Sequence, residues 1–574
     1  LSLLSHAKML DNLRRTLLAP AVFNLLLLMP YFGGGAYVWI GLVALWDGFL
    51  WDGGSLLCSF FTQGFRGRDA WGALRERATA AQRALLEFVT LPFAAVKNGD
   101  AMGRSLWRVL VSHRNMLEWQ TAAETSKKAQ QQGIVGTCKL LWSCLLAGAL
   151  MAASAFLGHM PIASLLLAAL FFSAPALVLR LDRPRAGESL SPGAREAVLG
   201  WAKRTWQYFE TFCTEENGFL PPDNFQEAPL GTAVKNTSPT NIGMAMLSAV
   251  AAHALGLIES SVLLLRLSSM AERMERAEKW NGHLYNWYSL SPLTPLAPRY
   301  VSTVDSGNLA CCLLTAESAL AALKTPEATA LGKRLRALAE GMDFRKLYDE
   351  KKKLFHIGFD CVSGTLTKSW YDLMASESRL TSFIAIALHQ VDPEHWQNLS
   401  RLLVDAGGGR TLISWSGTMF EYLMPVLFTG MTEGSLLFES CMAAVRAQRT
   451  AVPAGTPWGI SESGYYAFDR AMYYQYRAFG VHALALSPAR ERECVISPYS
   501  SMLALMAEPR AAVENLVRLE TLGALGQYGF YEALDFTPQR LREGVPFEPV
   551  KSYMAHHQGM SLCAAANALT GNAL

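Results

Sequence analysis

Leu179-Arg180-Leu181-Asp182-Arg183-Pro184-Arg185-Ala186-Gly187-Glu188-Ser189 is where this chain changes physical character. Before it lie long apolar runs. After it come amphipathic helical periods separated by polar, aromatic loops. Among the 574 residues, 51% are hydrophobic, and the mean hydropathy of +0.16 is raised by the first part. A chain of this length exceeds one ordinary core, so more than one domain is expected.

N-terminal to the junction, Leu17 to Phe32 and Ala36 to Leu50 read as one helical hairpin, Leu140 to Leu157 and Ile162 to Leu179 as a second. Each run lies near the lower limit of the roughly 17 to 25 residues that cross a bilayer. Buried hairpins in a large water-soluble protein are the competing reading. Lys8, Arg14 and Arg15 precede the first run, Arg180, Arg183 and Arg185 follow the last, and the short hairpin turns carry no Lys or Arg. The positive-inside rule then puts both ends in the cytoplasm. The basic stretch between the hairpins agrees, and its segment Leu85 to Val96 reads equally as an interfacial or an ordinary helix. The expected division is 1–60 membrane hairpin, 61–134 basic loop, 135–185 second hairpin and 186–574 folded domain. A start at Leu1 without a cleavage site reads as a fragment of a longer polypeptide with no signal peptide.

A formal charge of +3, without a basic face, gives no reason to expect nucleic acid. The ten cysteines are scattered without metal spacing, so they read as reduced core thiols, with no metal or cofactor expected.

C-terminal to the junction, about a dozen helices are expected: 194–213, 240–257, 260–277, 306–323, 326–342, 378–391, 394–404, 417–428, 436–448, 472–485, 497–507, 511–522 and one after Tyr553. Long aromatic loops alternate with short ones, which suggests a ring of antiparallel helical hairpins, an α/α barrel with a groove at one end. A single strand pair, 353–360 with 364–369, is evident.

Two carboxylates stand out in those loops: Glu377, in Trp370-Tyr371-Asp372-Leu373-Met374-Ala375-Ser376-Glu377-Ser378-Arg379, and Glu462, in Pro457-Trp458-Gly459-Ile460-Ser461-Glu462-Ser463-Gly464-Tyr465. Cleaving a glycosidic bond takes two such groups, one managing the leaving oxygen and one the anomeric carbon. Aromatic faces suit pyranose rings. A lone Glu is also commonly a structural hydrogen-bonding group. Further candidates for substrate contact are Trp287, Tyr288, Asp305, Trp370, Tyr371, Arg379, Trp415, Trp458, Tyr465, Phe530, Tyr531, Glu532, His556 and His557. Asp305 is also explained as a helix cap, and Glu421 ranks below Glu462 because an acid at a helix start complements the dipole. Adjacent His556 and His557 lack the i, i+4 spacing of helical zinc ligands, so hydrogen bonding to hydroxyls or a structural role is expected of them.

These segments, together with Arg114-Asn115-Met116-Leu117-Glu118-Trp119, Asn236-Thr237-Ser238-Pro239-Thr240-Asn241, Asn286-Trp287-Tyr288, Asp305-Ser306-Gly307-Asn308 and Ser552 to Met560, resemble in order the middle section of cyclic β-1,2-glucan synthases. The resemblance implies a bacterial inner-membrane, multi-pass protein with an (α/α)6, glycoamylase-like domain on the cytoplasmic side. It also implies a glycosyltransferase domain before Leu1, a phosphorylase-like domain after Leu574, and lipid and β-1,2-glucan as partners. The implied activity is a retaining transglycosylase that closes linear β-1,2-glucan into rings, with Glu377 as nucleophile and Glu462 as acid/base; by sequence position alone, Arg379 is a nearby candidate donor to Glu377. An inverting endo-β-1,2-glucanase of the same fold and a non-catalytic glucan-holding module are the alternatives.

Overall fold

The computed structural model describes residues 3–31, 82–114, 134–181, 190–407, 409–487 and 493–571. It divides into two compact units, Leu1–Ala186 and Gly187–Leu574.

The first unit contains α1 (Leu3–Leu28), α2 (Leu91–Trp107), α3 (Ile134–Leu140), α4 (Trp142–Leu157) and α5 (Pro161–Leu181). By length and apolarity, Ser5–Tyr31 and α5 suffice to cross a membrane, and α3 with α4 would do so as one span bent by 70°. Helices α4 and α5 pack together, and small residues on their shared face bring them close: Gly148 stands where a Cβ would fall 3.1 Å from the Phe172 ring. The expected run Ala36 to Leu50, most of the basic loop and the junction from 182 to 189 lie outside the described residues.

The second unit contains α6 (Pro192–Phe212), α7 (Pro239–Ala254), α8 (Ser260–Arg276), α9 (Thr303–Leu323), α10 (Pro326–Glu340), α11 (Arg379–Ala387), α12 (Glu394–Asn398), α13 (Met419–Leu423), α14 (Val426–Thr429), α15 (Leu436–Ala451), α16 (Pro498–Ala504), α17 (Pro509–Thr521) and α18 (Ala555–Thr570). Several starts are written in the sequence as a Ser or Thr cap followed by Pro: Ser191, Ser238 and Thr325 each accept the N–H three residues on, and proline fits the first turn because its missing N–H would be unpaired there.

Helices α7, α9, α11, α13, α16 and α18 are the inner set. Packing runs from α7 to α9, α9 to α11, α13 to α16, α16 to α18 and α18 back to α7. The step from α11 to α13 is made by the buried Arg379, whose guanidinium donates to the carbonyls of Glu421 at 2.9 Å and Tyr422 at 2.6 Å. Helices α6, α8, α10, α12, α15 and α17 back this set from outside. An inner helix is apolar nearly all round because it is covered on every side. Helix α9 is therefore long and apolar enough to resemble a membrane span, yet it lies in the main core of this unit.

The loops hold far more β structure than the one expected pair. Among the described residues there are nine small sheets of two or three strands. The expected turn at Val362-Ser363 is present, with Gly358–Asp360 pairing Thr365–Leu366. The expected helix over 472–485 is instead a strand, Tyr474–Arg477, paired with Ser463–Phe468, followed by a short 3-10 turn. The expected helix over 394–404 stops at Asn398, and Leu403–Asp405 pairs with Arg410–Leu412. In both places apolar residues at mixed spacing fit either period, and pairing with a neighbouring segment decides the outcome.

Close inner packing depends on Gly307 in α9. A Cβ there would fall 2.7 Å from Thr381 Cα and closer still to its hydroxyl, and Thr381 Oγ1 is already committed to Thr303 O at 3.0 Å. Alanine would gain about 1 kcal/mol of helix propensity but must push backbone aside at a cost of roughly 1–3 kcal/mol or more. Gly307→Ala is expected to lower the unfolding midpoint of the full chain in urea, read by circular dichroism.

Candidate active site

All six inner helices begin at one end of the unit, and hydrogen bonds tie their first turns together. Thr240 of α7 donates to Asp305 of α9 at 2.6 Å, Asn308 of α9 reaches Thr240 at 3.2 Å, and Asn241 of α7 meets His556 of α18 at 3.1 Å. Phe420 N of α13 donates to Ser461 Oγ at 3.1 Å, and the Tyr499 hydroxyl of α16 donates to the same oxygen at 2.8 Å.

Glu377 enters this end on a bend before α11. Backbone bridges Leu373 to Ser400 and Ala375 to Ser414 fix the approach, and Ser376 Oγ accepts from Ser378 N at 3.2 Å and from the Ser378 hydroxyl at 2.9 Å. The Asn308 amide is a hydrogen-bonding partner of the Glu377 carboxyl. Asp305 Oδ2 takes a bond from Asn286 at 3.0 Å, with the Asn286 amide turned so that its oxygen accepts the Trp287 indole N–H at 3.1 Å.

Glu462 sits at the mouth of the hairpin Ser463–Phe468/Tyr474–Arg477. Gly459, at φ +142°, lets the approaching chain lie against α16, where a Cβ would meet Ser497 O at 2.9 Å. Tyr499 holds Glu462 O at 3.1 Å, and Glu532 holds Gly464 N at 3.1 Å. Gly464 pairs with Tyr476 across the hairpin, and the Tyr476 hydroxyl hydrogen-bonds the Glu462 carboxyl. His557 lies face to face with Tyr499, centroids 3.7 Å apart, with Tyr476 stacked at 6.2 Å. Its Nδ1 meets Glu532 at 2.9 Å.

The electrostatics tie the two glutamates to one site. Burial, then the charges of Glu462, Asp305 and Glu421, push the Glu377 carboxyl well above the usual range. Burial raises Glu462 to about 7, with Glu421, Glu532 and Asp305 adding to the rise and the Tyr476 hydrogen bond opposing it. Two like charges so coupled ionise in sequence. Burial also lifts Glu532 to about 7 and keeps His557 neutral.

Glu421 completes the ring of acids in a different way. Its carboxylate accepts from Trp415 N at 2.9 Å, Thr418 N at 2.9 Å, Ser414 Oγ at 3.0 Å and Ser416 N at 3.2 Å, forming a capping box with Thr418.

The structure brings together Glu377, Glu462, Asp305, Glu532, His556 and His557, with Tyr371 beside Glu377 and Asp305, whose charges help burial push up its hydroxyl. Trp287, joined to Asp305 through Asn286, and Trp415 are exposed aromatics of these loops. Other expected contacts are framework. Tyr288 is sealed in the core with its hydroxyl on Glu278 O at 2.6 Å, Phe530 packs on Trp201, and the Tyr531 hydroxyl is spent on Glu227 at 2.7 Å. Trp458 is buried with its backbone N–H donating to Asn515 Oδ1, Tyr465 lies buried beneath Arg540, and Trp370 is held by Asp349 and covered by Lys352. Arg379 does not serve Glu377; its guanidinium is committed to Ser376, Glu421 and Tyr422 carbonyls. Tyr476, Tyr499 and Asp223 lie outside the segments singled out by sequence, and Asn308 and Asn241 lie within quoted segments without a role read for them. Tyr476 was hidden by the helical reading of 472–485, and the other four act through partners far away in the chain.

Residues 369–573 match the Glycoamylase family, described as "Putative glucoamylase". The curated cyclic beta-(1,2)-glucan synthase NdvB of Rhizobium meliloti (strain 1021) is 32% identical across 99% of this chain, which spans 25% of that protein's length. Among solved structures, an endo-beta-1,2-glucanase from Chitinophaga pinensis in complex with sophorotriose and glucose superposes with a TM-score of 0.53 at 16% identity, over 66% of this chain and 93% of the other. A Talaromyces funiculosus endo-beta-1,2-glucanase mutant in complex with beta-1,2-glucan superposes with a TM-score of 0.56 at 14% identity, over 66% and 85%. The chain thus carries a mostly helical, glycoamylase-like domain related to NdvB-type cyclic β-1,2-glucan synthases and covers only part of such an enzyme.

Removing the Tyr476 hydroxyl takes a donor from the Glu462 carboxylate and raises its pKa. Activity governed by Glu462 should then keep its form while the limb set by that carboxyl moves upward in Tyr476→Phe by up to about one unit, the equivalent of one hydrogen bond. The pH profile of kcat/KM measures this.

Proposed function

We propose that residues 186–574 form an (α/α)6 barrel whose loop-bearing end cleaves β-1,2-glucosidic bonds with Glu377 and Glu462. The observation that carries the reading is the pair itself: two half-buried carboxyls from separate loops, with the charge of Glu462 adding to burial in pushing the Glu377 carboxyl up. One of the two, protonated, delivers its proton to the departing glycosidic oxygen, directly or through a substrate hydroxyl. The other, ionised, attacks the anomeric carbon or takes a proton from the water that does. The C1–O bond breaks, its electrons go to the oxygen that receives the proton, and the new bond forms on the other face of the sugar. Asp305, His556 and the exposed Trp287 and Trp415 are the groups assigned to hold the glucan.

Likeness of fold to solved endo-β-1,2-glucanases supports chain cleavage better than it supports ring closure. Ring closure is the second reading, favoured by the relation to a cyclic glucan synthase along nearly the whole chain. There the acceptor is a 2-hydroxyl from the far end of the same glucan, and the two carboxyls act as a retaining pair. In that setting the apolar segments within residues 1–60 and 135–185 anchor the domain to the cytoplasmic face of a bacterial inner membrane. The 61–134 segment lies between them, and transferase and phosphorylase-like regions flank the chain.

Incubating the full chain in detergent with linear β-1,2-glucan distinguishes these outcomes. Cleavage is expected to give shorter linear chains, and ring closure gives products lighter by one water. Anomeric NMR of the first products reports retention or inversion. Glu377→Gln and Glu462→Gln should each cost about 10²–10⁴-fold in rate. Unchanged cleavage in either variant rejects the pair.

A further inference from the structure

Asp223 lies more than three hundred positions before His556, but Asn224–Gln226 pairs antiparallel with Ser552–Met554, and Ala555 N donates to Asp223 O at 2.9 Å. This seats the buried Asp223 carboxylate at the start of α18. One oxygen accepts from Asn224 Nδ2 at 2.9 Å, and the other from Asn241 Nδ2, also at 2.9 Å. The second bond fixes the Asn241 amide, itself buried: with nitrogen toward the carboxylate, its carbonyl faces His556 Nδ1 at 3.1 Å.

A carbonyl oxygen can only accept, so Nδ1 carries the hydrogen. A neutral imidazole has one N–H, which leaves Nε2 as a bare acceptor. The ring is neutral because burial, and then His557, depress its pKa to about 3. Nε2 has no hydrogen-bond partner among the described residues and is not one of the enclosed unpartnered atoms. The ring stands 4.2 Å from that of His557, which stacks on Tyr499, the residue gripping the Glu462 backbone.

We propose that Asp223 and Asn241 are positioning residues that lock His556 in its Nδ1–H form, so that Nε2 accepts a hydrogen from a hydroxyl of the bound carbohydrate. The ligand half of this inference rests on reading the site as a glucan site; the lock does not. Its consequence is directional: the sugar hydroxyl at this position must donate to the protein, leaving its lone pairs for other donors.

The test is the 15N spectrum of the full chain labelled at histidine, with His556→Gln used to assign the signal. A protonated Nδ1 and bare Nε2 are expected in the parent near pH 7, and Asp223→Asn, which frees the Asn241 amide to turn, should give a mixture of the two forms. A protonated Nε2 in the parent, or an unmoved signal in a folded Asp223→Asn, overturns the lock. Should Asp223→Asn not fold by circular dichroism, the parent spectrum alone decides. With linear β-1,2-glucan as probe, Asp223→Asn is expected to raise KM about tenfold, the worth of one well-placed hydrogen bond, with kcat little changed. An unchanged KM despite a shifted tautomer overturns the hydroxyl assignment. Absence of glucan cleavage by the parent chain removes the assigned ligand and the functional reading together, while the spectrum still judges the lock.

Discussion

Two carboxyl groups sharing one partly enclosed space cannot both be charged cheaply, and the loop-bearing end of this domain is organised around that constraint. Glu377 and Glu462 come from segments 85 residues apart, and each is flanked by the further acids Asp305 and Glu421. The first turns of inner helices lie close by, and the positive ends of their dipoles favour anions. That field offsets only part of the repulsion, so the pair keeps a proton. Each has one donor that favours its anion: the Tyr476 hydroxyl beside Glu462, and beside Glu377 the amide of Asn308, which also reaches Thr240.

The helical framework was readable because its signals are local. Ser191-Pro192, Ser238-Pro239 and Thr325-Pro326 announce helix starts, and the apolar inner helices follow them. Glu377 was singled out from an aromatic segment and Glu462 from an aromatic, glycine-containing one. What surrounds them was not, for reasons of geometry. Arg379 is two positions after Glu377, but Glu377 lies on the bend before α11 while Arg379 opens the helix and sends its guanidinium to the α13 carbonyls. Tyr288, Tyr465 and Phe530 share the composition of ligand-binding aromatics. Composition does not reveal that their polar atoms are spent in the core or that another side chain covers the ring. The Asp223–Asn241–His556 chain joins three segments whose proximity only the closed packing of the helices creates.

The adjacent histidines show how a helix start divides labour. Successive residues there point about 100° apart, so His557 turns inward to Glu532 and Tyr499 while His556 turns toward Asn241. His557 thereby helps hold the Tyr499 that grips the Glu462 backbone, and Glu532 grips the same loop two residues on. One ring braces a reacting group and its neighbour is left with a nitrogen to spare.

Glu421 sharpens the meaning of function in such a cluster. It stands among the same acids, yet four separate residues donate to its carboxylate from the loop 414–418. With its lone pairs taken, it has no role as a proton carrier; it pins that loop and contributes a fixed negative charge that raises both neighbours. Neutralising it would loosen the loop and lower the pKa of Glu377 and Glu462 at once. Loss of activity at position 421 therefore carries the same appearance as loss of a reacting group. Only the direction in which the pH profile moves separates the two: toward acid when a neighbouring charge is removed, and collapse without displacement when the reacting carboxyl itself is gone.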